Sequence, residues 1–184
     1  MSWRRKLFHF SGILIPILHV GAGVPRRWVL GILTAMTAGF FLVDLLRAFM
    51  PTLQERFRTL LKAILDPKDM KGLNGTTLYF SGMTLAVWLF PDPAVSMSGV
   101  LALAVGDPAA ALVGSSVKSP RWGRVSLAGS AACFVGATAG AAVFQPFARA
   151  LMAGAAATLL EAFSGSKLDN LVIPVGVAAC LGLL

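Results

Sequence analysis

Long apolar runs separated by short polar breaks make up this chain, and the runs fall at residues 7–24, 28–49, 77–91, 94–116, 125–144, 147–163 and 168–184. Within each run apolar residues are continuous rather than alternating, which predicts helices and excludes a membrane β-barrel. A helix that crosses a bilayer needs about 20 apolar residues, fewer when it is tilted or shielded by neighbours. The pattern predicts an all-α protein: a polytopic transmembrane helical bundle of about seven spans, one domain over residues 1–184. Polar loops are expected at about 50–76, 115–124 and 164–169. In the first of them Leu53, Phe57, Leu60, Leu61, Ile64 and Leu65 recur at helical spacing opposite Glu55, Arg56, Arg58 and Lys62. That is the pattern of an amphipathic helix lying in the membrane interface. Asp66-Pro67 ends it, and Gly72, Asn74 and Gly75 mark a turn. Gly136 and Gly140 are spaced for close helix packing, inside the bundle or between the copies of a homo-oligomer.

Composition agrees with this reading: 57% of the 184 residues are hydrophobic and 13% charged, whereas a soluble domain carries about a quarter charged residues. The first apolar run is expected to be a retained helix rather than a signal peptide. Pro16 and His19 interrupt it, and no small-residue cleavage site follows. Cys133 and Cys180 both lie in apolar runs without metal-ligand spacing.

Charge then sets the orientation. With the N-terminus in the cytoplasm, 13 of the 16 Lys and Arg residues fall on the cytoplasmic side, and only Arg26, Arg27 and Arg149 fall on the other. This is a strong positive-inside bias. It places the chain in a plasma or inner membrane with the three polar loops inside. The net charge of +8 is therefore topology and attraction to anionic lipid. Nucleic acid is not an expected partner, since no soluble basic face with aromatic platforms exists.

Chemistry enters with Asp107, a carboxylate inside the 94–116 run. A charge at membrane depth costs a few kcal/mol on insertion scales, so it has a partner, a cavity or a task. The plain alternative is a cap on a helix that restarts after Pro108. Glu161, Asp169 and Asn170 lie at the cytoplasmic ends of their runs, and Asp92 faces the other compartment. Carboxylates gathered with Lys and Arg on one membrane face suit Mg²⁺ and a polyphosphate, because Mg²⁺ takes one or two carboxylates plus phosphate oxygens. Ser126-Leu127-Ala128-Gly129-Ser130 opens a helix from the same side, where start amides and hydroxyls can cradle an anion. No Walker A, protein-kinase or Rossmann fingerprint is present. His9 is read as a packed histidine at a helix end.

Several short motifs follow one another along the chain: Arg5-Lys6-Leu7-Phe8-His9, Gly106-Asp107 through Ala110 to Gly114, Val125 through Ser130, and Glu161 followed by Asp169-Asn170 and Pro174. Taken together they resemble the CTP-dependent lipid-alcohol kinases, the family of dolichol kinase, phytol kinase and yeast-type diacylglycerol kinase. The turn Lys68-Asp69-Met70-Lys71-Gly72 through Thr77 is also similar. Where the family has a lysine before the serine, this chain has Val125, so Arg124 or Lys118 would take its place.

The resemblance implies transfer of the γ-phosphate of CTP to the hydroxyl of an isoprenoid alcohol or diacylglycerol in the bilayer, with nucleotide arriving from the cytosol. It implies that Asp107, with Asp169 and Glu161, holds Mg²⁺ or orients the lipid hydroxyl. Arg5, Lys6, Lys71, Lys118 and Arg124 would meet phosphates, alongside Asp69 and Gly114 in the nucleotide-binding segments. Ser126, Gly129 and Ser130 would cradle the phosphates, and Asn170 would bond the base or a metal-bound water. Two other classes are weighed against it. A CDP-lipid synthase would release pyrophosphate instead of CDP. A small transporter or scaffold would place polar groups near the midplane of two related halves, and no such halves are present.

Overall fold

Prolines and asparagine set where the helices start. Pro25 precedes one, Pro51 and Pro93 open two more, and Asn74 caps another by accepting from the amides of Thr76 (2.7 Å) and Thr77 (3.0 Å). The computed structural model describes residues 8–61, 72–165 and 167–183. In chain order the helices are α1 (Phe8–Gly21), α2 (Arg26–Phe49), α3 (Pro51–Leu61), α4 (Gly75–Leu89), α5 (Pro93–Ser116), α6 (Leu127–Ala141), α7 (Phe147–Phe163) and α8 (Asp169–Gly182). The all-α class holds, and the helices match the apolar runs to within a few residues.

α2 and α5 are long and apolar enough to cross a membrane, whereas α1, α6 and α8 are shorter apolar helices. Trp28, Ile32, Phe41, Leu42, Leu45 and Phe49 of α2 are exposed, a continuous apolar surface of the kind that hydrocarbon covers. α3 occupies the first part of the expected amphipathic stretch; the rest of that stretch, with Asp66-Pro67, lies outside the described residues.

One small feature is not announced by the hydrophobic pattern. The expected basic loop at 115–124 holds a two-stranded hairpin, β1 (Arg121–Trp122) against β2 (Val125–Ser126), with Trp122 opposite Val125. Gly123 turns it with φ +64°, a conformation that glycine adopts without a Cβ penalty.

Apart from α3, successive helices run in opposite directions, so the start of α2 meets the end of α4 and the start of α7 meets the end of α8. At one end Arg26 donates to the carbonyls of Val87 (2.8 Å) and Trp88 (2.8 Å), Asp92 caps α5, and Arg149 donates to the Leu181 carbonyl. There the cations complete the open carbonyls of helix C-termini. The opposite end carries Asp44, Arg47, Asp107, Arg124, Glu161 and Asp169 and is described below.

α8 is the packed centre, with Ile173, Val177, Ala178 and Leu181 fully buried. α4 and α5 lie directly on its backbone. A Cβ on Gly82 would run into the Asn170 carbonyl, and one on Gly99 into the Pro174 carbonyl. Gly136 and Gly140 face Gly106 and Leu101 of α5, so that pair serves packing within the bundle. Rigid backbone cannot yield as a flexible side chain can. Gly99→Ala is therefore expected to lower stability by about 1–3 kcal/mol, read as a lower unfolding midpoint of the detergent-solubilised protein.

Candidate active site

Asp107 sits just after a wide π-helical turn, Ala102–Gly106, in the middle of α5. Pro108 has no amide to donate and its ring crowds the carbonyl four residues back, which the widened turn relieves. The helix continues through this point, and the Asp107 side chain caps nothing. Instead the carboxylate, 8% exposed as a residue, lies with Oδ2 2.9 Å from Nδ1 of His9. The contact has ion-pair distance without the alignment of a hydrogen bond.

His9 is 4% exposed. Tyr79 holds the start of α1 there: its hydroxyl donates to the His9 carbonyl at 2.6 Å, and its ring lies 4.8 Å from the imidazole. His9 does pack among aromatic rings as expected. Its 2.9 Å contact with Asp107 escapes sequence reasoning, because the two residues are nearly a hundred positions apart. The available signal is a histidine one short step behind Arg5-Lys6 in the family motif.

Glu161, near the end of α7, is within electrostatic reach of Asp107, Asp169, Arg124 and the Cys133 thiol. Its Oε2 is buried and has no hydrogen-bond partner among the described residues. Asn170 is 1% exposed; its Nδ2 reaches the Gly75 carbonyl at 3.4 Å, and its Oδ1 likewise has no partner there. Asp169 accepts from the Asn170 amide at 2.9 Å, and Lys167 donates to the Leu73 carbonyl at 3.1 Å. Three sequence-predicted carboxylates thus share one end of the bundle, together with His9 and Asn170. Among the described residues no set of three His, Cys, Asp or Glu closes tightly enough to hold a metal by itself.

The anion-cradle residues are gathered as well, but they bond to one another. Ser126 Oγ accepts from the Gly129 amide at 3.1 Å, capping α6, and Ser130 Oγ accepts from the Trp122 indole at 3.0 Å. Gly114 and Gly129 meet where α5 crosses α6; a Cβ on either would lie 3.3 Å from the other's Cα. As a cap, Ser126 contributes about 1 kcal/mol. Ser126→Ala should lower the denaturation free energy by that amount and leave nucleotide affinity unchanged, as measured by titration.

Arg124 donates to the carbonyls of Glu161 (3.1 Å) and Ser164. This closes the C-terminus of α7 and holds a cation beside the Glu161 carboxylate. Lys118 is exposed just past the end of α5. Arg5, Lys6, Asp69 and Lys71 lie outside the described residues.

Asp44 belongs to this end but is a closed structural cluster. Its carboxylate accepts from Arg47 (2.6 Å), the Asn74 amide (2.9 Å), Asn74 Nδ2 (2.9 Å) and Thr77 Oγ1 (2.6 Å).

The chain is similar to known proteins over most of its length. A dolichol kinase of Bos taurus is 33% identical over 141 residues, covering 64% of this chain and 24% of that protein. A dolichol kinase of Mus musculus is 33% identical over 132 residues, with the same coverage. An uncharacterized protein of Rickettsia prowazekii is 30% identical over 137 residues, covering 73% of this chain and 66% of that one. The chain spans about a quarter of the length of the dolichol kinases it matches. No family model matches it, and no solved structure matches it.

Proposed function

Since the chain belongs by sequence to the lipid-alcohol kinase family of the dolichol kinases, we propose that it is a membrane kinase moving the γ-phosphate of CTP onto the hydroxyl of a lipid alcohol. The alcohol would be a polyprenol, phytol, dolichol or diacylglycerol. The observation that carries this reading is the buried His9–Asp107 pair near Glu161, with polar atoms of Glu161 and Asn170 that have no partner among the described residues. Buried polar atoms without partners are rare in proteins and invite a ligand.

The residues fit a nucleotide with its metal. Mg²⁺ asks for one or two carboxylates and takes its other ligands from phosphates and water; Glu161 and Asp169 offer these, with Asp107 behind them. Bound there, Mg²⁺ would offset part of the triphosphate charge. Arg124 and Lys118, with Arg5, Lys6 and Lys71 from the flanking segments, would meet the remaining phosphate oxygens, and Asn170 the base or a water. Asp107, steadied by His9, would orient the lipid hydroxyl. The hydroxyl oxygen would then form the new bond to γ-phosphorus, its proton passing to the Asp107 carboxylate, while the bond to the β-bridging oxygen breaks and CDP leaves. Positioning and charge neutralisation account for most of such catalysis. In this reading the N-terminus and the site face the cytoplasm of a plasma or inner membrane, with seven crossings and α3 lying on the inner surface.

The test uses purified protein in nanodiscs, γ-labelled CTP, Mg²⁺ and a panel of lipid alcohols. Labelled lipid phosphate with release of CDP is the expected result. Pyrophosphate and a CDP-lipid would make the protein a synthase instead. No transfer from any nucleotide to any alcohol would overturn the reading.

A further inference from the structure

Beside the polar site runs an apolar groove of about 520 Å³, a volume within the range of small-molecule binding sites. One wall is a single stripe of α1. Ile13, Pro16, Ile17 and Val20 form it, and His9 lies four residues before Ile13 on the same helix, outside the lining. The facing wall is α5 at Leu101 and Val105, the latter two residues before Asp107. The floor is the end of α6 at Ala139 and Gly140 and the turn after it at Val143 and Phe144. The groove includes parts of both π-helical turns, Ile17–Gly21 and Ala102–Gly106. Widened turns of this kind occur often at functional sites. Its outer lip is open, because Ile17, Val20 and Val143 are exposed.

We propose that this groove holds the hydrocarbon of the membrane alcohol next to its hydroxyl, so that the chain enters sideways and the hydroxyl ends at the His9–Asp107 pair. The inference rests on the kinase reading above and adds where and how the lipid is held. The occupant follows from position: α1 and α5, which wall the groove, also carry His9 four residues before Ile13 and Asp107 two residues after Val105. An amphiphile with one polar head and a long apolar tail matches this sequence of surfaces, whereas a polar ligand finds no partner along the walls. From Ile13 to Val20 the stripe extends about 10 Å. The groove therefore senses the branching and saturation of the first units of the tail and leaves its total length to the bilayer.

The experiment uses the full chain in nanodiscs with two photoactivatable probes. One is a prenol carrying a diazirine in its first isoprene units; the other is a phosphatidylcholine carrying one in an acyl chain. The prenol probe is expected to label peptides containing Ile13, Val105 or Val143, in competition with unlabelled prenol but not with phospholipid. Ala139→Trp, which fills the groove from an exposed position, should suppress that labelling. It should also raise KM for a long-chain alcohol about tenfold, leaving the nucleotide KM and the rate on a short water-soluble alcohol unchanged. Val143→Trp serves as a second blocking variant if the first does not fold.

Equal labelling by the phospholipid would make the groove a seat for bulk lipid, and a disulfide between two Val143→Cys copies would make it a contact between copies; either overturns the proposal. So does an unchanged lipid KM in a folded blocking variant. Labelling needs no turnover, so occupancy of the groove is measured even in a protein without kinase activity, and the two readings fail separately.

Discussion

Asp107→Asn is expected to reduce phosphorylation of the lipid alcohol by about a hundred- to a thousandfold, the scale of losing one preorganised charged group at a reacting centre. Asparagine keeps the size of the side chain and a polar contact for His9, which lies 2.9 Å from the carboxylate. What it removes is the negative charge. Because the side chain caps no helix and Pro108 already sets the local backbone, the unfolding midpoint should move little, and activity and stability should separate. His9→Phe should act in the same direction, since Asp107 would then lose the imidazole nitrogen 2.9 Å from its carboxylate. Turnover in nanodiscs, measured with the unfolding midpoint of the same preparation, checks this. A folded Asp107→Asn protein keeping more than about a tenth of normal turnover would remove Asp107 from the catalytic machinery.

Much of the fold is legible in the sequence because hydrophobic runs report helices directly. Residues 94–116 form one apolar segment, and α5 runs Pro93–Ser116. The gathering of charge at one end is also legible, since helices that alternate in direction must bring every second polar break together. Partner choice is not. Ser126, Gly129 and Ser130 have the composition of an anion cradle, yet a cap and an indole engage them. Helix-start residues suit both uses, and only the position of Trp122 on the hairpin tells them apart. Asp44 and Asp107 look alike in sequence, each an acid inside an apolar run. Asp44 meets four donors and Asp107 one buried imidazole. That difference depends on which helices lie alongside, which local patterning does not encode.

The Asp44 cluster carries the largest stability effect. Both Asp44 (6% exposed) and Arg47 (5%) are buried, and removing one member of a buried charged pair costs about 3–5 kcal/mol, because the other is left without its counter-charge. Asp44→Ala also strips acceptors from the Asn74 amide, Asn74 Nδ2 and Thr77 Oγ1. The same guanidinium donates to the Gly72 carbonyl at 3.2 Å and lies 4.3 Å above the Phe57 ring of α3, so the loosening spreads to the turn before α4 and to α3. That turn supplies the Leu73 and Gly75 carbonyls that receive Lys167 and Asn170, so activity should fall together with stability, unlike in Asp107→Asn. Combining Asp44→Ala with Arg47→Met, which removes the stranded charge, should recover part of the loss. Denaturation of the unaltered protein, both single variants and the double variant in one detergent gives the cycle. If Asp44→Ala costs less than about 1 kcal/mol, within the range of an exposed ion pair, the cluster does not hold this end of the bundle together.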